Sequence, residues 1–196
     1  MSKIKICGLS RECDIDFVNM ALPDYIGFVF AKSPRQVSFD TARKLKSKLD
    51  KSIKSVGVFV NESAENIKKI ADSKTIDVIQ LHGDEDDEFI KKIKSLCGLP
   101  IIKAVRVEST EDILAWDSSS ADYLLLDNGK GGTGKAFDHS LICKTKKPIF
   151  LAGGISADNI EQALEYSPYC IDVSSGAETN GVKDELKIKA LVEKVR

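Results

Sequence analysis

Residues 149–154 read Ile-Phe-Leu-Ala-Gly-Gly, a short apolar run that ends in a pair of glycines. A near-continuous apolar run of this kind is typical of a strand that is buried on both faces of a parallel sheet. Eight such runs occur along the chain: Ile4–Cys7, Tyr25–Phe30, Ser55–Val60, Val78–Leu81, Ile101–Val107, Tyr123–Leu126, Ile149–Ala152 and Cys170–Val173. The sequence therefore predicts a parallel sheet of eight strands.

Segments with charged outer faces and a helical spacing of apolar residues separate these runs. They include Phe39–Leu49, Ala64–Ala71, Glu88–Leu96, Glu111–Trp116, Asn159–Leu164 and Asp184–Val195. Ser63, Ser109 and Ser156 supply N-cap chemistry before three of these segments. The alternation of strands with helices predicts βαβ units.

Eight such units in 196 residues leave about 24 residues for each, which is enough for a barrel with short connections. We predict an α/β fold with a single domain over residues 1–196, a (β/α)8 TIM barrel of parallel strands with its active site at the C-terminal face. An open, doubly wound sheet is the alternative. Such a sheet usually has fewer strands and one early glycine-rich turn, whereas the glycine-rich turns of this chain come late.

The composition limits the classes of partner. The 29 Lys and Arg residues almost balance the 30 Asp and Glu residues, and the net charge of -1 argues against binding nucleic acid through its phosphates. No apolar run approaches the ~20 residues of a membrane span, and the N-terminus lacks the apolar region of a signal peptide. Five cysteines without C-x-x-C spacing favour free thiols in the cytoplasm, and the two histidines lack a second metal ligand at a recognised spacing. We therefore expect a cytoplasmic protein that binds neither a membrane nor a metal.

Two glycine turns follow the seventh and eighth runs. Gly153-Gly154 precedes a predicted helix start at Ser156, and Ser175-Gly176 precedes Ala177 in the same way, so backbone N–H groups are free to bind an anion. In barrels, the loops after these two strands commonly hold a phosphate. The alternative is that the glycines only shape tight turns. A third stretch, Gly131–Gly134, is either a lid that folds over a ligand or a merely flexible loop.

Two side chains at the predicted mouth of the barrel can carry acid–base chemistry. Residues alternate across a strand, so Lys5 and Cys7 share one face of the first run and two isoleucines share the other. The isoleucines suit the side that faces the helices, which leaves Cys7 pointing into the barrel near its mouth. By the same alternation Asp127 lies at the mouth beyond the sixth run. A thiol and a carboxyl that face each other there can act as base and acid.

Each of these residues also has a purely structural interpretation. In the catalytic interpretation Lys5 favours the Cys7 thiolate, and the apolar run before Asp127 favours a protonated carboxyl. In the structural one Cys7 is a small buried hydrophobe, and Asp127 caps the loop that follows it. Lys5 would then pair with Asp172 deeper in the barrel. The residue pattern leaves both interpretations open.

His82 and Arg35 are candidate substrate-binding residues. His82 directly follows the fourth run, at the end of a predicted strand, although a lone imidazole can also serve loop packing. Arg35 follows Ser33-Pro34, where the proline shapes the turn. Its guanidinium suits a carboxylate or a phosphate through two parallel hydrogen bonds, unless it lies in a solvated loop.

Short motifs follow one another along the chain in a specific order. They are Lys5–Gly8, Gly27–Phe30 with Ser33–Arg35, Val56–Asn61, Gln80–Gly83, Leu126–Gly129, Gly131–Lys135 with Phe137-Asp138, Leu151–Ile155 and Asp172–Gly176. Each motif alone is weak, but together, over residues 5–184, they resemble the phosphoribosylanthranilate isomerase family of tryptophan biosynthesis. The chain departs from the family pattern in its first loop, Leu9–Ile15, which contains Cys13.

The resemblance implies an isomerase that converts N-(5-phosphoribosyl)anthranilate to 1-(2-carboxyphenylamino)-1-deoxyribulose 5-phosphate by an Amadori rearrangement. Carried over to this chain, it makes Cys7 the general base and Asp127 the general acid. It makes Arg35 the ligand of the anthranilate carboxylate and His82 part of the site wall. It assigns the phosphate to Gly153, Gly154, Ser175 and Gly176. No cofactor or metal is implied, because the iminium formed on ring opening accepts the electrons, and relatives occur as monomers and as homodimers.

Three alternatives to this function remain at the level of sequence. Indole-glycerol-phosphate synthase would need a catalytic set of Lys and Glu and a longer N-terminal extension. A pentose-phosphate epimerase would need paired His and Asp metal ligands, for which two histidines are too few. A degenerate barrel that binds phosphorylated ligands without turnover would have no need of a thiol opposite a carboxyl.

Overall fold

Eight parallel strands pair in chain order, and the first strand pairs with the last, so the sheet closes into a barrel. The structure is a computed structural model that describes residues 1–127 and 138–196. The strands are β1 (Lys3–Cys7), β2 (Tyr25–Val29), β3 (Lys54–Phe59), β4 (Val78–Leu81), β5 (Ile101–Arg106), β6 (Tyr123–Asp127), β7 (Ile149–Leu151) and β8 (Cys170–Val173). The predicted (β/α)8 barrel is confirmed, and closure excludes the open sheet.

Helices connect the strands on the outside of the barrel. The α-helices of the described residues are α1 (Glu12–Ala21), α2 (Phe39–Lys48), α3 (Ala64–Asp72), α4 (Asp87–Cys97), α5 (Thr110–Asp117), α6 (Ile160–Glu165) and α7 (Glu185–Val195). Short 3₁₀ helices cover His139–Leu141 and Ser175–Ala177. A small antiparallel hairpin of β9 (Glu178–Thr179) and β10 (Val182–Lys183) precedes α7. Within the described ranges, no helix is long and apolar enough to cross a membrane.

Helix α1 corrects the expectation that Leu9–Ile15 is a loop. The helix begins at Glu12, with Arg11 in the N-cap position. Arg11 is not a usual capping residue, so the sequence lacks the ordinary signal for a helix start. Asp14 supplies the missing chemistry, because its carboxylate accepts from the backbone N–H groups of Ser10 and Arg11, both at 2.9 Å.

The predicted helix caps are confirmed at two of three positions. Ser63 accepts from the backbone N–H of Asn66 at 3.3 Å, and Ser109 forms a capping box with Asp112. Ser156 does not cap a helix, since α6 begins only at Ile160. The Ser156 backbone N–H instead donates to Asn159 Oδ1 at 2.8 Å, which holds the turn before the helix.

The two faces of each strand bury different layers of side chains. Ile4 and Ile6 of β1 belong to the same buried cluster as residues of α1, as the alternation predicted. Inside the barrel a separate cluster includes Tyr25, Leu125 and Phe150. Burial of each such side chain stabilises the fold by about 1.5–3 kcal/mol.

Aromatic side chains fill the N-terminal end of the barrel interior. Tyr25 and Tyr123, the first residues of β2 and β6, pack edge-on against Phe150 with ring centroids 5.5 and 5.4 Å apart. Tyr169, just before β8, stacks on Tyr123 at 5.3 Å. This packed layer makes the barrel a core and not a pore, so polar residues at the opposite, C-terminal ends of the strands lie at the mouth.

Candidate active site

Cys7 is the last residue of β1 and pairs in register with Gly27 of β2. It is 8% exposed, and a Cβ on Gly27 would lie 2.6 Å from its Sγ, so glycine is required beside the thiol. Burial raises the pKa of the Cys7 thiol, while the ammonium groups of Lys5 and Lys183 oppose this effect without overcoming it. Lys5 therefore acts in the predicted direction, but the desolvation of the thiol outweighs it.

Lys5 is fully buried inside the barrel and makes the ion pair that the structural interpretation anticipated. Its Nζ donates to Asp172 Oδ2 at 3.1 Å and to Gln80 Oε1 at 2.7 Å. Burial by itself lowers the pKa of Lys5, but the charge and hydrogen bond of Asp172, with a further contribution from Cys7, together outweigh it, and the net pKa is raised. Lys5 thus stays protonated, and its partners come from the neighbouring strand β8 and from β4, which is not adjacent to β1.

Asp127 ends β6 and is also 8% exposed. His82, directly after β4, places its Nε2 3.6 Å from Asp127 Oδ2. The other ring nitrogen of His82, Nδ1, lies 2.8 Å from the amide nitrogen of Gln80. The structure therefore brings the predicted acid and the predicted wall histidine together, and it adds Gln80 as a neighbour.

A buried ion pair between Glu85 and Lys103 fixes the loop that contains His82. Glu85 accepts from the backbone N–H groups of Asn61 and Gly83, both at 2.8 Å, and pairs with Lys103 at 3.1 Å. The side chains of Glu85 and Lys103 are each 3% exposed. Because an unpaired charge there would be strongly unfavourable, the contacts fix the loops after β3 and β4 relative to the barrel.

Arg35 lies beside Cys7, with its side chain packed over Gly8: a Cβ on Gly8 would lie 2.5 Å from Arg35 Cδ. Its guanidinium makes two parallel hydrogen bonds to Glu178, at 2.7 and 2.8 Å. Lys183 Nζ also donates to Glu178, at 2.5 Å, and to the Ser174 carbonyl at 3.0 Å. One edge of the Arg35 guanidinium is therefore occupied within the protein, and its Nη1 makes no hydrogen bond to the residues that the structure describes.

Glu178 holds a negative charge between two cations although it is largely buried. Burial raises its pKa, but hydrogen bonds and charge from Arg35 and Lys183 outweigh this and lower the pKa to about 2. Sequence reasoning missed Glu178 and Lys183. The available signal was the pair of charged residues in the short segment that directly follows the Ser175-Gly176 turn.

The two glycine turns meet at the C-terminal ends of β7 and β8. Gly153 and Gly154 adopt φ values of +92° and +65°, which residues with a side chain rarely adopt. A Cβ on Gly176 would overlap the carbonyl oxygen of Ile155, so the second turn packs directly against the first. The structure thus brings the four predicted phosphate residues to one place. The predicted lid, Gly131–Gly134, lies outside the described residues.

Among residues 1–127 and 138–196, no group of three or more His, Cys, Asp or Glu side chains is arranged to hold a metal ion. The mouth instead collects a thiol with Arg35 and Lys183 near it, a carboxyl beside an imidazole, and the two glycine turns. A closed (β/α)8 barrel with such side chains at its C-terminal mouth is organised as a barrel enzyme.

Comparison with known proteins then gives the family. The family model described as N-(5'phosphoribosyl)anthranilate (PRA) isomerase matches residues 4–194, and the chain belongs to this family. A curated N-(5'-phosphoribosyl)anthranilate isomerase from Endomicrobium trichonymphae is 49% identical over 100% of this chain and 99% of its own length.

Solved structures agree with this assignment. Phosphoribosyl anthranilate isomerase from Thermotoga maritima superposes with a TM-score of 0.89 at 34% identity, covering 98% of both chains; that organism's enzyme is described as dimeric in a further structure. A family structure in complex with reduced 1-(o-carboxyphenylamino)-1-deoxyribulose 5-phosphate has a TM-score of 0.84 at 33% identity, covering 98% of this chain and 97% of that one.

Proposed function

We propose that this chain catalyses the Amadori rearrangement of N-(5'-phosphoribosyl)anthranilate to 1-(2-carboxyphenylamino)-1-deoxyribulose 5-phosphate, a step of tryptophan biosynthesis. The observation that carries the proposal is the placement of Cys7 and Asp127 at the C-terminal ends of β1 and β6 in a member of this family. Both side chains keep a small exposed fraction at the mouth, where a substrate can reach them.

In the proposed reaction Asp127 donates one proton, Cys7 accepts another, and the final tautomerisation moves a proton from the C2' hydroxyl to C1', so no external oxidant is needed. Asp127 protonates the furanose ring oxygen, the bond from that oxygen to C1' breaks, and a Schiff base forms with the anthranilate nitrogen. Cys7, as the thiolate, then removes the proton from C2'. The electrons of that C–H bond flow into the iminium and give an enolamine, which tautomerises to the ketone. Because the iminium accepts the electrons, these steps use no metal or cofactor.

The same mouth offers groups for both anionic ends of the substrate. The free edge of Arg35 binds the anthranilate carboxylate, while Glu178 keeps the guanidinium in place. The phosphate binds to the backbone N–H groups of the two glycine turns, through Gly153, Gly154, Ser175 and Gly176. His82 forms the wall beside Asp127.

The removal of Arg35 tests this binding role. In Arg35→Ala we expect KM to rise about 10- to 100-fold, because a charge-assisted hydrogen bond to the carboxylate is lost and Glu178 is left facing the substrate. The change in kcat should be small. Steady-state kinetics check this, with Arg43→Ala, an exposed arginine of α2, as the control. A fall in kcat at constant KM would show instead that Arg35 acts in the chemical step.

The buried thiol predicts a pH dependence. A base must be deprotonated, and since burial raises the pKa of Cys7, its thiolate forms only at alkaline pH in the free enzyme. We therefore expect kcat/KM to keep increasing with pH up to and beyond the ordinary thiol pKa of about 8.5, because the pKa of Cys7 lies above that value. Initial rates between about pH 6 and about pH 9.5 measure this profile. A flat profile over that interval would contradict a thiolate base.

Turnover itself is tested by following the loss of anthranilate fluorescence with enzymatically generated substrate, in the presence of EDTA. We expect full activity with the chelator. Substrate binding without any fluorescence change would favour the degenerate barrel that only binds phosphorylated ligands. Loss of activity with EDTA would contradict the proposed metal-free steps.

Partners and location follow from the same proposal. Every proposed site residue lies on one chain, so we propose that residues 1–196 act as one domain that needs no second copy, whether the protein is a monomer or a homodimer. We propose a phosphorylated small molecule as the binding partner, and neither nucleic acid nor a membrane. We propose the cytoplasm as the location of the protein. A specific activity that does not depend on protein concentration would support the proposal that the site needs no second copy of the chain.

A further inference from the structure

A chain of polar contacts runs from the interior of the barrel to its mouth. Lys5 Nζ donates to Gln80 Oε1 at 2.7 Å, and Gln80 Nε2 lies 2.8 Å from His82 Nδ1. His82 Nε2 in turn lies 3.6 Å from Asp127 Oδ2. Lys5 is 0% and Gln80 1% exposed, so water does not compete for the first contact.

The positions of the hydrogen atoms in this series of contacts follow from which groups can only donate a hydrogen bond. The ammonium of Lys5 only donates, so Gln80 must turn its carbonyl oxygen toward it. The amide nitrogen of Gln80 then faces His82, and because this NH2 group also only donates, Nδ1 of His82 must accept. An imidazole whose Nδ1 accepts a hydrogen bond is neutral and carries its proton on Nε2, the nitrogen nearer to Asp127.

We propose that Lys5 and Gln80 are positioning residues that hold His82 in the neutral Nε2–H tautomer beside Asp127. The inference rests on the proposed function, in which Asp127 loses its proton to the furanose oxygen and becomes a carboxylate. A neutral N–H donor at 3.6 Å needs only a small movement to hydrogen-bond to that carboxylate and stabilise its new charge.

A protonated imidazole would serve this step less well. An imidazolium would place a full positive charge beside the acid before the acid gives up its proton, instead of a neutral donor that responds to the new negative charge. It would also place an Nδ1–H donor against the NH2 group of Gln80. The NH2 group of Gln80 therefore disfavours an Nδ1–H on His82, and Lys5 disfavours the flipped amide, whose oxygen would accept a hydrogen bond from that Nδ1–H.

The tautomer is measurable without substrate. Long-range 1H–15N spectra of the 15N-labelled full chain at neutral pH separate protonated from unprotonated ring nitrogens. The chain contains two histidines, His82 and His139, so His139→Gln assigns the signals. We expect the unprotonated nitrogen of His82 at Nδ1 and the protonated one at Nε2. A proton on Nδ1, an imidazolium or an equal mixture of tautomers would overturn the proposal.

Gln80→Glu tests the positioning role, because it preserves the contact with Lys5 and replaces the donor at Nδ1 with an acceptor. We expect the proton of His82 to move to Nδ1 and kcat to fall about tenfold with KM nearly constant. Gln162→Glu, an exposed glutamine on α6, should leave both measurements unchanged. A folded Gln80→Glu protein with the original tautomer, or a shifted tautomer with unaltered kcat, would refute the role. If the variant does not fold, the spectrum of the unmodified chain still decides.

The proposed tautomer of His82 and the proposed function can be refuted separately. If Asp127→Asn retained normal turnover while His82 showed the Nε2–H tautomer, the general-acid assignment would be wrong and the hydrogen-bond chain would be supported. If Asp127→Asn were inactive while His82 carried its proton on Nδ1, the acid would be supported and the positioning role of Lys5 and Gln80 overturned.

Discussion

Cys7→Ser should lower kcat about 1000-fold while KM stays close to that of the unmodified chain. The serine hydroxyl fills nearly the same space beside Gly27, so the site keeps its shape. It loses its proton far less readily than a thiol, however, and cannot become the base that removes the C2' proton. Steady-state kinetics with the fluorescence assay measure both constants.

The control is Cys97→Ser, a thiol at the C-terminal end of α4, on the outside of the barrel. Burial raises the pKa of Cys97 as it does that of Cys7, so the two substitutions are chemically matched. We expect Cys97→Ser to turn over normally. Equal losses in the two variants would mean that cysteine replacement harms the fold and that Cys7 has no special role.

Asp127→Asn should be comparably impaired, with kcat reduced about 1000-fold. The amide has nearly the same size as the carboxyl, so contact with His82 can persist, but it has no acidic proton to give to the ring oxygen. Ring opening, and not substrate binding, should therefore fail. Rapid-mixing experiments that separate binding from the fluorescence change test this order of events.

Asp16→Asn, which alters an exposed carboxylate on α1, is the matched control and should retain full activity. The double variant Cys7→Ser with Asp127→Asn should be little worse than either single variant, because the two groups act on consecutive steps of one reaction. Near-normal turnover of Asp127→Asn would exclude this residue as the acid.

The fold was predictable because its signals are local. Most strands are marked by a near-continuous apolar run, and Ser63 and Ser109 mark helix starts by ordinary capping chemistry. Helix α1 was missed because it lacks such a local signal. Arg11 occupies the position where a capping residue is expected, and Asp14, three residues later, accepts the backbone hydrogen bonds instead. A helix start that depends on a side chain within the helix is harder to recognise.

The site was predictable only in part. Cys7, Asp127 and the glycine turns follow strand ends, so their placement at the mouth follows from alternation and from the general architecture of barrels. Gln80 carried a weak signal, a polar residue within the apolar run Val78–Leu81. Its contact with Lys5 joins residues 75 positions apart, and no pattern along the chain relates them.

The amino-acid sequence by itself predicted alternating strands and helices, and hence a βα barrel, from its apolar runs and the amphipathic segments between them. The pairing of β1 with β8 in the structure then decided that the sheet is closed and not open. The tertiary structure alone decided how the charged side chains pair. Arg35 meets Glu178 across 143 positions, and Lys5 meets Asp172 across 167, because closing the barrel sets β1 between β2 and β8. Such pairs depend on which strand ends become neighbours in space, and that is settled only when the ring of strands is complete.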